Sequence, residues 1–232
     1  MRQLTTMATD SDIITPSGRS LTSATRMTNA RRLLIGARWF SSVFRPEFFP
    51  LLGFVVLFMF TYLSLLPWTL KGMILLIVML GTIVMPRITI RYWRIARGWE
   101  RRLLRLRQNR FFPYIIYLLY YAFTLHLLNR FHLPHYMSGI LVASLIIQGS
   151  CILINTKWKI SMHAAGAGGI VGALIAYSFI FFFNPLWWLS ICILLNGAVG
   201  TSRMLLRQHD LWQVLAGSCL GIVGAFIGIF FF

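Results

Sequence analysis

Two short clusters, each centred on a histidine, hold the side chains of this sequence that are best suited to chemistry. Residues 157–163 combine two lysines, a serine and His163, and residues 202–217 hold a Ser-Arg pair, then His209, then Gln213. Each histidine stands where a predicted apolar helix begins, so backbone N–H groups and the positive end of a helix dipole face the same region. Cations, a hydroxyl and two imidazoles beside such helix ends predict a site for a phosphate group.

Gln213 lies one helical turn after His209 and on the same face of the predicted helix. Its amide oxygen can accept a hydrogen bond from one imidazole nitrogen and fix the tautomer, so that the other nitrogen can attack phosphorus. Arg203, Lys157 and Lys159 are the candidate phosphate ligands of the two clusters. The same three residues are also candidate anchors at the membrane surface, which is the usual role of such cations.

The acidic residues, the cysteines and the other histidines exclude several kinds of active site. The five acidic residues all lie outside long apolar runs, so neither a two-carboxylate glycosidase centre nor a carboxylate-bridged metal site is expected. The three cysteines lie in separate apolar segments without CxxC spacing, which argues against a disulfide framework and a zinc site. Three further histidines are interpreted as packing or interfacial residues: His126, His132 and His135. No metal and no cofactor are therefore expected.

The composition identifies the class of protein. The chain has 232 residues, of which 58% are hydrophobic and 12% are charged, and its mean hydropathy of +0.73 is too high for an ordinary soluble domain. A spanning helix needs about 20 apolar residues. Seven stretches approach that length: 48–67, 71–88, 111–130, 136–155, 161–183, 185–200 and 211–232. The sequence therefore predicts an all-α fold, a polytopic membrane bundle of six to seven spans.

Composition also predicts how the chain is divided. Residues 1–46 carry seven Arg and thirteen Ser or Thr with no long apolar run, and they are interpreted as a mobile basic cytoplasmic arm, with a transit peptide as the alternative. Residues 47–232 form the predicted membrane domain. Within it, residues 86–110 carry nine Arg and an apolar stripe at helical spacing. That pattern predicts a basic amphipathic helix in the lipid interface or, alternatively, a solvated loop.

The distribution of positive charge predicts the orientation. Twenty of the 22 Lys and Arg residues fall in the arm and in alternate loops, which the positive-inside rule places in the cytoplasm. Residues 157–163 and 203–209 belong to that side, and Phe232 belongs to the other. The isoelectric point of 11.2 would suit nucleic acid, but in so apolar a chain a basic surface is expected to meet anionic lipid headgroups. Membrane lipids, and no nucleic acid, are the predicted partners.

The two clusters resemble signatures of the type-2 phosphatidic acid phosphatase superfamily. The third signature of that family is S-R-x5-H-x3-D with a V-L-A-G tail, and the sequence has Ser202-Arg203-x5-His209-x3-Gln213 followed by Val-Leu-Ala-Gly. Ser161-x-His163 is similar to the end of the second signature, P-S-G-H. The resemblance covers about residues 136–232, and within that region both histidines stand at matching positions.

The resemblance implies a metal-independent phosphatase that works through a phosphohistidine. By position, His209 is the nucleophile, His163 protonates the leaving alcohol, and Gln213 orients the nucleophile. Arg203 and Ser161 hold the phosphate. A lipid phosphate is the implied substrate.

Three departures from the family pattern affect the assignment. Gln213 replaces the aspartate of the third signature, and a neutral amide can position an imidazole but cannot offset the charge that it gains. Ile160 and Met162 replace the Pro and Gly of the second signature. A K-x6-R-P first signature is not recognised, so its cationic role is assigned to Lys157 or Lys159, and Lys159 is preferred because it lies two residues before the matching serine.

The resemblance and the charge distribution together predict a lipid phosphate phosphatase in a bacterial inner membrane with its site facing the cytoplasm. A cytoplasmic site favours a substrate made inside the cell, such as phosphatidylglycerol phosphate or phosphatidate. An isoprenoid phosphate phosphatase is the alternative within enzymes, since the same site would serve it. A non-catalytic lipid-binding protein of the same fold is the alternative outside enzymes, and the change of Asp to Gln would fit it.

Overall fold

The computed structural model describes residues 31–39, 41–42, 44–60, 62–98, 111–131 and 134–232, and within these residues all regular structure is helical. A short helical segment covers residues 31–39, and 3-10 turns cover Pro46–Phe48 and Tyr62–Leu65. Seven longer helices follow: α1 (Phe49–Phe60), α2 (Trp68–Ala96), α3 (Phe111–Arg130), α4 (His135–Lys157), α5 (Met162–Phe181), α6 (Leu186–Leu205) and α7 (Leu211–Phe230). The predicted all-α bundle is confirmed.

Five of the described helices are long and apolar enough to cross a membrane, namely α2, α4, α5, α6 and α7. The chain is therefore an integral membrane protein. The other two predicted spans, α1 and α3, are not among these five. Helix α1 has only twelve residues, which rise about 18 Å against a hydrocarbon core of about 30 Å. Helix α3 has twenty residues, the same number as α5, α6 and α7.

The second predicted span continues into the basic segment without a break. Helix α2 runs from Trp68 to Ala96 through a π-helical turn at Leu80–Val84, so the first part of the 86–110 segment extends a spanning helix. Residues 99–110 lie outside the described residues. The interfacial helix therefore stays a prediction.

Helices α5 and α7 form the most extensive helix pair of the described chain. Glycines make the close approach feasible: a Cβ added to Gly168 would overlap the Ser218 carbonyl, and one added to Gly221 would overlap the Ala165 carbonyl. Small residues at such positions let helix backbones touch. The packing brings the first turn of α5 against the first turn of α7, where the two histidine clusters lie.

The basic ends of several helices meet at one end of the bundle. Glu47, just before α1, accepts hydrogen bonds from Arg87 of α2 at 2.8 and 2.7 Å and from Tyr117 of α3. Lys159, just before α5, donates to the carbonyl of Gln208, just before α7. Residues 1–30 of the predicted arm lie outside the described residues, so the boundary between arm and membrane domain stays a prediction.

Candidate active site

The N-terminus of α5 is fixed by Ser161. This residue is the N-cap of the helix, and its hydroxyl accepts a hydrogen bond from the Ala164 N–H at 3.3 Å. Its own N–H donates to the Gln213 carbonyl at 3.2 Å. A Cβ on Gly217, the glycine of Val-Leu-Ala-Gly, would lie 2.6 Å from the Ser161 carbonyl oxygen. That glycine therefore allows α7 to touch the start of α5, and His163 follows in the first turn.

The N-terminus of α7 carries the second histidine and its orienting amide. His209 Nδ1 and Gln213 Oε1 are 3.0 Å apart, so the hydrogen bond predicted from their spacing is present. Gln213 Nε2 donates in turn to Asp210 Oδ2 at 3.3 Å. Because the carboxylate can only accept, the NH2 of Gln213 faces Asp210 and its oxygen faces the imidazole. Nδ1 is then the donor, so that in the neutral imidazole the nitrogen with the free lone pair is Nε2.

The end of α6 contributes the arginine of the Ser-Arg pair. Arg203 Nη1 donates to Ser41 Oγ at 2.6 Å, and Arg203 Nε is buried without a hydrogen-bond partner among the described residues. A buried, unpartnered guanidinium N–H is costly unless a ligand oxygen can accept from it. Ser202 has a structural role, because its buried hydroxyl donates to the Val199 carbonyl within the same helix.

A pocket of about 400 Å³ lies where the end of α6, the start of α5 and the segment before α1 meet, and neither His209 nor Gln213 is part of its lining, which reaches Gln208, the residue before His209. Its lining includes three arginines and one of the two histidines: Arg38, Arg45, Arg203 and His163, together with Ser41, Ser42, Pro46, Glu47, Leu206 and Gln208. His163 lies within electrostatic reach of His209 and of two of these arginines. The one carboxylate in the lining, Glu47, is already engaged by Arg87 and Tyr117. The pocket therefore carries an excess of positive charge and favours an anion.

Arg38 and Arg45 are site residues that sequence reasoning missed, because they belong to the predicted arm. The signal was present in their spacing. Arg38-x6-Arg45-Pro46 follows the K-x6-R-P pattern with arginine in place of lysine. Both arginines line the pocket beside His163. A conservative form of the first signature is thus present where none was recognised.

The two lysines that were assigned the same role lie elsewhere. Lys159 donates to the backbone carbonyl of Gln208, and neither Lys157 nor Lys159 is among the residues that line the pocket. Ser161 is also outside the lining and is fully buried as a helix cap. Phosphate binding by these three residues stays a prediction that the geometry does not favour.

Glu47 connects Arg45, the second arginine of the first-signature pattern, to the bundle. Its carboxylate lies 3.7 Å from Arg45 and forms two hydrogen bonds with Arg87. Burial raises the pKa of Glu47, but the hydrogen bonds from Arg87 and Tyr117 and the charges of Arg87 and Arg45 lower it by more, so the net pKa is below the usual value. The carboxylate is therefore ionised at neutral pH and holds the arginine segment in place.

A second, apolar cavity of about 190 Å³ lies inside the bundle beside the pocket. It is enclosed by side chains of α1, α3, α4, α5 and α7, and it shares Pro46 and Glu47 with the lining of the charged pocket. Met162, the residue before His163, also lines it. The cationic pocket and the apolar cavity are therefore adjacent, as a ligand with a charged head and an apolar tail requires.

Within the described residues, no group of three or more His, Cys, Asp or Glu side chains is arranged to hold a metal ion. The three cysteines are unpaired and lie in α4, α6 and α7. The groups that can act on a bound anion are thus the imidazoles, the guanidinium groups and the helix N-termini.

The comparison with protein families agrees with the two signatures. The model of the PAP2 superfamily matches residues 114–231, which is half of the chain and includes both histidines, Arg203 and Gln213. The match begins after Arg38 and Arg45. No curated protein and no solved structure matches the chain.

Proposed function

Because the chain belongs to the PAP2 superfamily, we propose that it is a membrane phosphatase that removes the phosphate of a lipid phosphate monoester through a phosphohistidine on His209. Membership supports a phosphatase-type function on lipid phosphates in general. The observation that carries the specific proposal is the pocket that Arg38, Arg45 and Arg203 line together with His163 and Gln208, the residue before His209 with its hydrogen bond to Gln213.

The phosphate docks against the three arginines, whose N–H groups bind its oxygens through charge-assisted hydrogen bonds. The unpartnered Nε of Arg203 gains an acceptor in this complex. We propose Arg38 and Arg45, which line the pocket, for the cationic role of the first signature in place of Lys159. The positive ends of α5 and α7 add to the attraction.

The reaction proceeds in two displacement steps. In the first, the lone pair of His209 Nε2 attacks phosphorus, the P–O bond to the lipid breaks, and His163 gives its proton to the lipid oxygen. In the second, His163 takes a proton from water, the water oxygen attacks phosphorus, and the P–N bond breaks. Inorganic phosphate leaves, and both histidines return to their starting states.

The apolar cavity supports a lipid as the substrate. Its walls are formed by helices within the bundle, and it adjoins the charged pocket at Pro46 and Glu47. A hydrocarbon chain in this cavity would bring its phosphate to the arginines. For a site that faces the cytoplasm, we favour phosphatidylglycerol phosphate or phosphatidate as the substrate.

Phosphate release from the detergent-purified protein tests the proposal. A panel of phosphatidylglycerol phosphate, phosphatidate, an isoprenoid phosphate and a short-chain soluble phosphate monoester is assayed with and without EDTA. We expect release from the first two lipids, insensitive to EDTA, and no release by His209→Ala. Preference for the isoprenoid phosphate would change the substrate class. Binding of all lipids without any release would identify a non-catalytic lipid-binding protein.

A further inference from the structure

The family aspartate that would face the nucleophilic histidine is replaced by an amide in this chain. Gln213 Oε1 contacts His209 Nδ1 at 3.0 Å, which is the contact that an aspartate would make. A neutral amide differs from an aspartate at this position in two ways. It can rotate so that its NH2 group faces the imidazole, and it provides no negative charge when the imidazole becomes positive.

Asp210 is placed to compensate for both differences. Its Oδ2 accepts a hydrogen bond from Gln213 Nε2 at 3.3 Å. Asp210 is also the N-cap residue of α7, a position where aspartate usually accepts from the first backbone N–H groups of the helix. In α7 its side chain makes no such capping bond, and it binds the side chain of Gln213 instead. The usual structural role of an N-cap aspartate therefore does not account for this carboxylate.

The other side-chain carboxylate of the described residues, that of Glu47, has different hydrogen-bond partners. Glu47 accepts from Arg87 and from Tyr117, on the other side of the pocket. Asp210 is thus the described carboxylate that is connected to His209, and the connection runs through the amide of Gln213.

We infer that Asp210 is a positioning residue that acts on His209 through Gln213, as the carboxylate of a three-residue relay. The inference rests on the proposed phosphatase function and deepens it. Because the carboxylate only accepts, it holds the NH2 group of Gln213 away from the imidazole and the amide oxygen towards Nδ1. The proton of the neutral imidazole is thereby kept on Nδ1, and the lone pair that attacks phosphorus is kept on Nε2.

The carboxylate also supplies negative charge in the transition state. A hydrogen bond from the amide to a carboxylate polarises the amide and increases the negative charge on its oxygen. That oxygen then binds the Nδ1–H of the imidazole more strongly as the ring becomes positive. The relay thus restores, over two hydrogen bonds, what a signature aspartate provides directly.

Asp210→Asn is the variant that isolates the relay. Asparagine has nearly the same shape and an equal preference for the N-cap position, so α7 should still form. The charge is lost, and the amide of Gln213 can now rotate and donate to Nδ1, which moves the ring proton to Nε2 and blocks the nucleophile. A histidine held in the wrong tautomer loses much of its catalytic power. We expect kcat on the preferred lipid to fall about tenfold or more, with KM changed less than about twofold.

Two controls make this result specific. Asp12→Asn removes the same charge from the predicted arm and should leave kcat unchanged. Gln213→Asp places a carboxylate directly against Nδ1. In that background, Asp210→Asn should therefore lower kcat by less than about twofold. Gel filtration and thermal unfolding of each variant check that the fold is kept.

The outcomes separate the relay from the proposed function. A wild-type protein that releases no phosphate from any lipid overturns the proposed function and the relay with it. If the wild-type protein is active and the kcat of Asp210→Asn equals that of Asp12→Asn, the relay alone is overturned. An equal loss from Asp210→Asn in the wild-type and Gln213→Asp backgrounds also overturns it, because Asp210 would then act by another route.

Discussion

The two histidines have different surroundings and different proposed tasks. His209 is held by the Gln213 amide on Nδ1, whereas His163 faces the arginine-lined pocket from the first turn of α5. We expect His209→Ala to abolish phosphate release, because His209 is the proposed nucleophile and its ring is held by an orienting group, the Gln213 amide. His163→Ala should slow formation of the phosphoenzyme, most strongly for lipids with a poor leaving group.

Rapid quench with radiolabelled substrate measures both effects. His126→Ala, in α3, is the matched control and should retain wild-type turnover. Near-normal turnover of His209→Ala would contradict its assignment as nucleophile.

The two possible sets of phosphate ligands, the arginines and the lysines, predict opposite effects of substitution. Hydrogen bonds to charged groups contribute about 1.5–3 kcal/mol, so Arg38→Ala and Arg45→Ala should each reduce kcat/KM by about 10- to 100-fold. Lys157→Ala should change kcat/KM by less than about threefold, because its side chain does not line the pocket. Michaelis kinetics on one lipid decide the question, with Arg130→Ala at the other end of α3 as the control. A large loss for Lys157 and none for Arg45 would restore the lysine assignment.

At the scale of the helix, close packing of α5 on α7 sets the distance between the two clusters. A Cβ at Gly221 would overlap the Ala165 carbonyl, so Gly221→Ala must push α7 away from α5. Overpacking of this kind costs about 1–3 kcal/mol, and a shift of about 1 Å at a site can cost about 100-fold in rate. We expect a lower midpoint of thermal unfolding together with a large fall in kcat.

Gly197→Ala is the matched control for Gly221→Ala. Gly197 lies in α6, and an added Cβ there meets nothing within 4 Å. Gly197→Ala should leave both the midpoint of thermal unfolding and kcat near their wild-type values. If Gly221→Ala behaves in the same way, the helix contact does not position the site.

The helices could be predicted because their signals are local. Each long apolar run became a helix, and the His209–Gln213 contact followed from residues one turn apart. The arginine segment could not be found in this way. Arg203 and Ser41 are 162 residues apart, and nothing in helical periodicity indicates that they touch. Only the R-x6-R-P spacing pointed to the site, and the Ser- and Arg-rich composition around it favoured a mobile arm.

The helix boundaries show the same limit. Hydropathy placed the end of the second span at about residue 88, where the arginines begin. The backbone continues through the π-helical turn and past Pro86 to Ala96, and arginine, a good helix former, favours this continuation. Hydropathy therefore locates the apolar part of a helix but not its last residue.

At the scale of the whole molecule, the basic ends of the helices and the candidate site lie together. Glu47 joins the starts of α1 and α3 to the basic end of α2, and Lys159 joins the starts of α5 and α7. Arg87 and Lys159 belong to basic segments that the positive-inside rule assigns to one side of the membrane. The charge that orients the protein therefore also surrounds its anion pocket.

This arrangement predicts that the active face is cytoplasmic. Arg207, in the loop before His209, is replaced by cysteine in a background without the three native cysteines, and intact cells are treated with a thiol reagent that cannot cross membranes. The cysteine at position 207 should stay unlabelled until the membrane is made permeable. Arg130→Cys, at the opposite end of α3, is the matched control and should label in intact cells. Labelling of position 207 from outside, with position 130 protected, would invert the topology and favour substrates that reach the outer face.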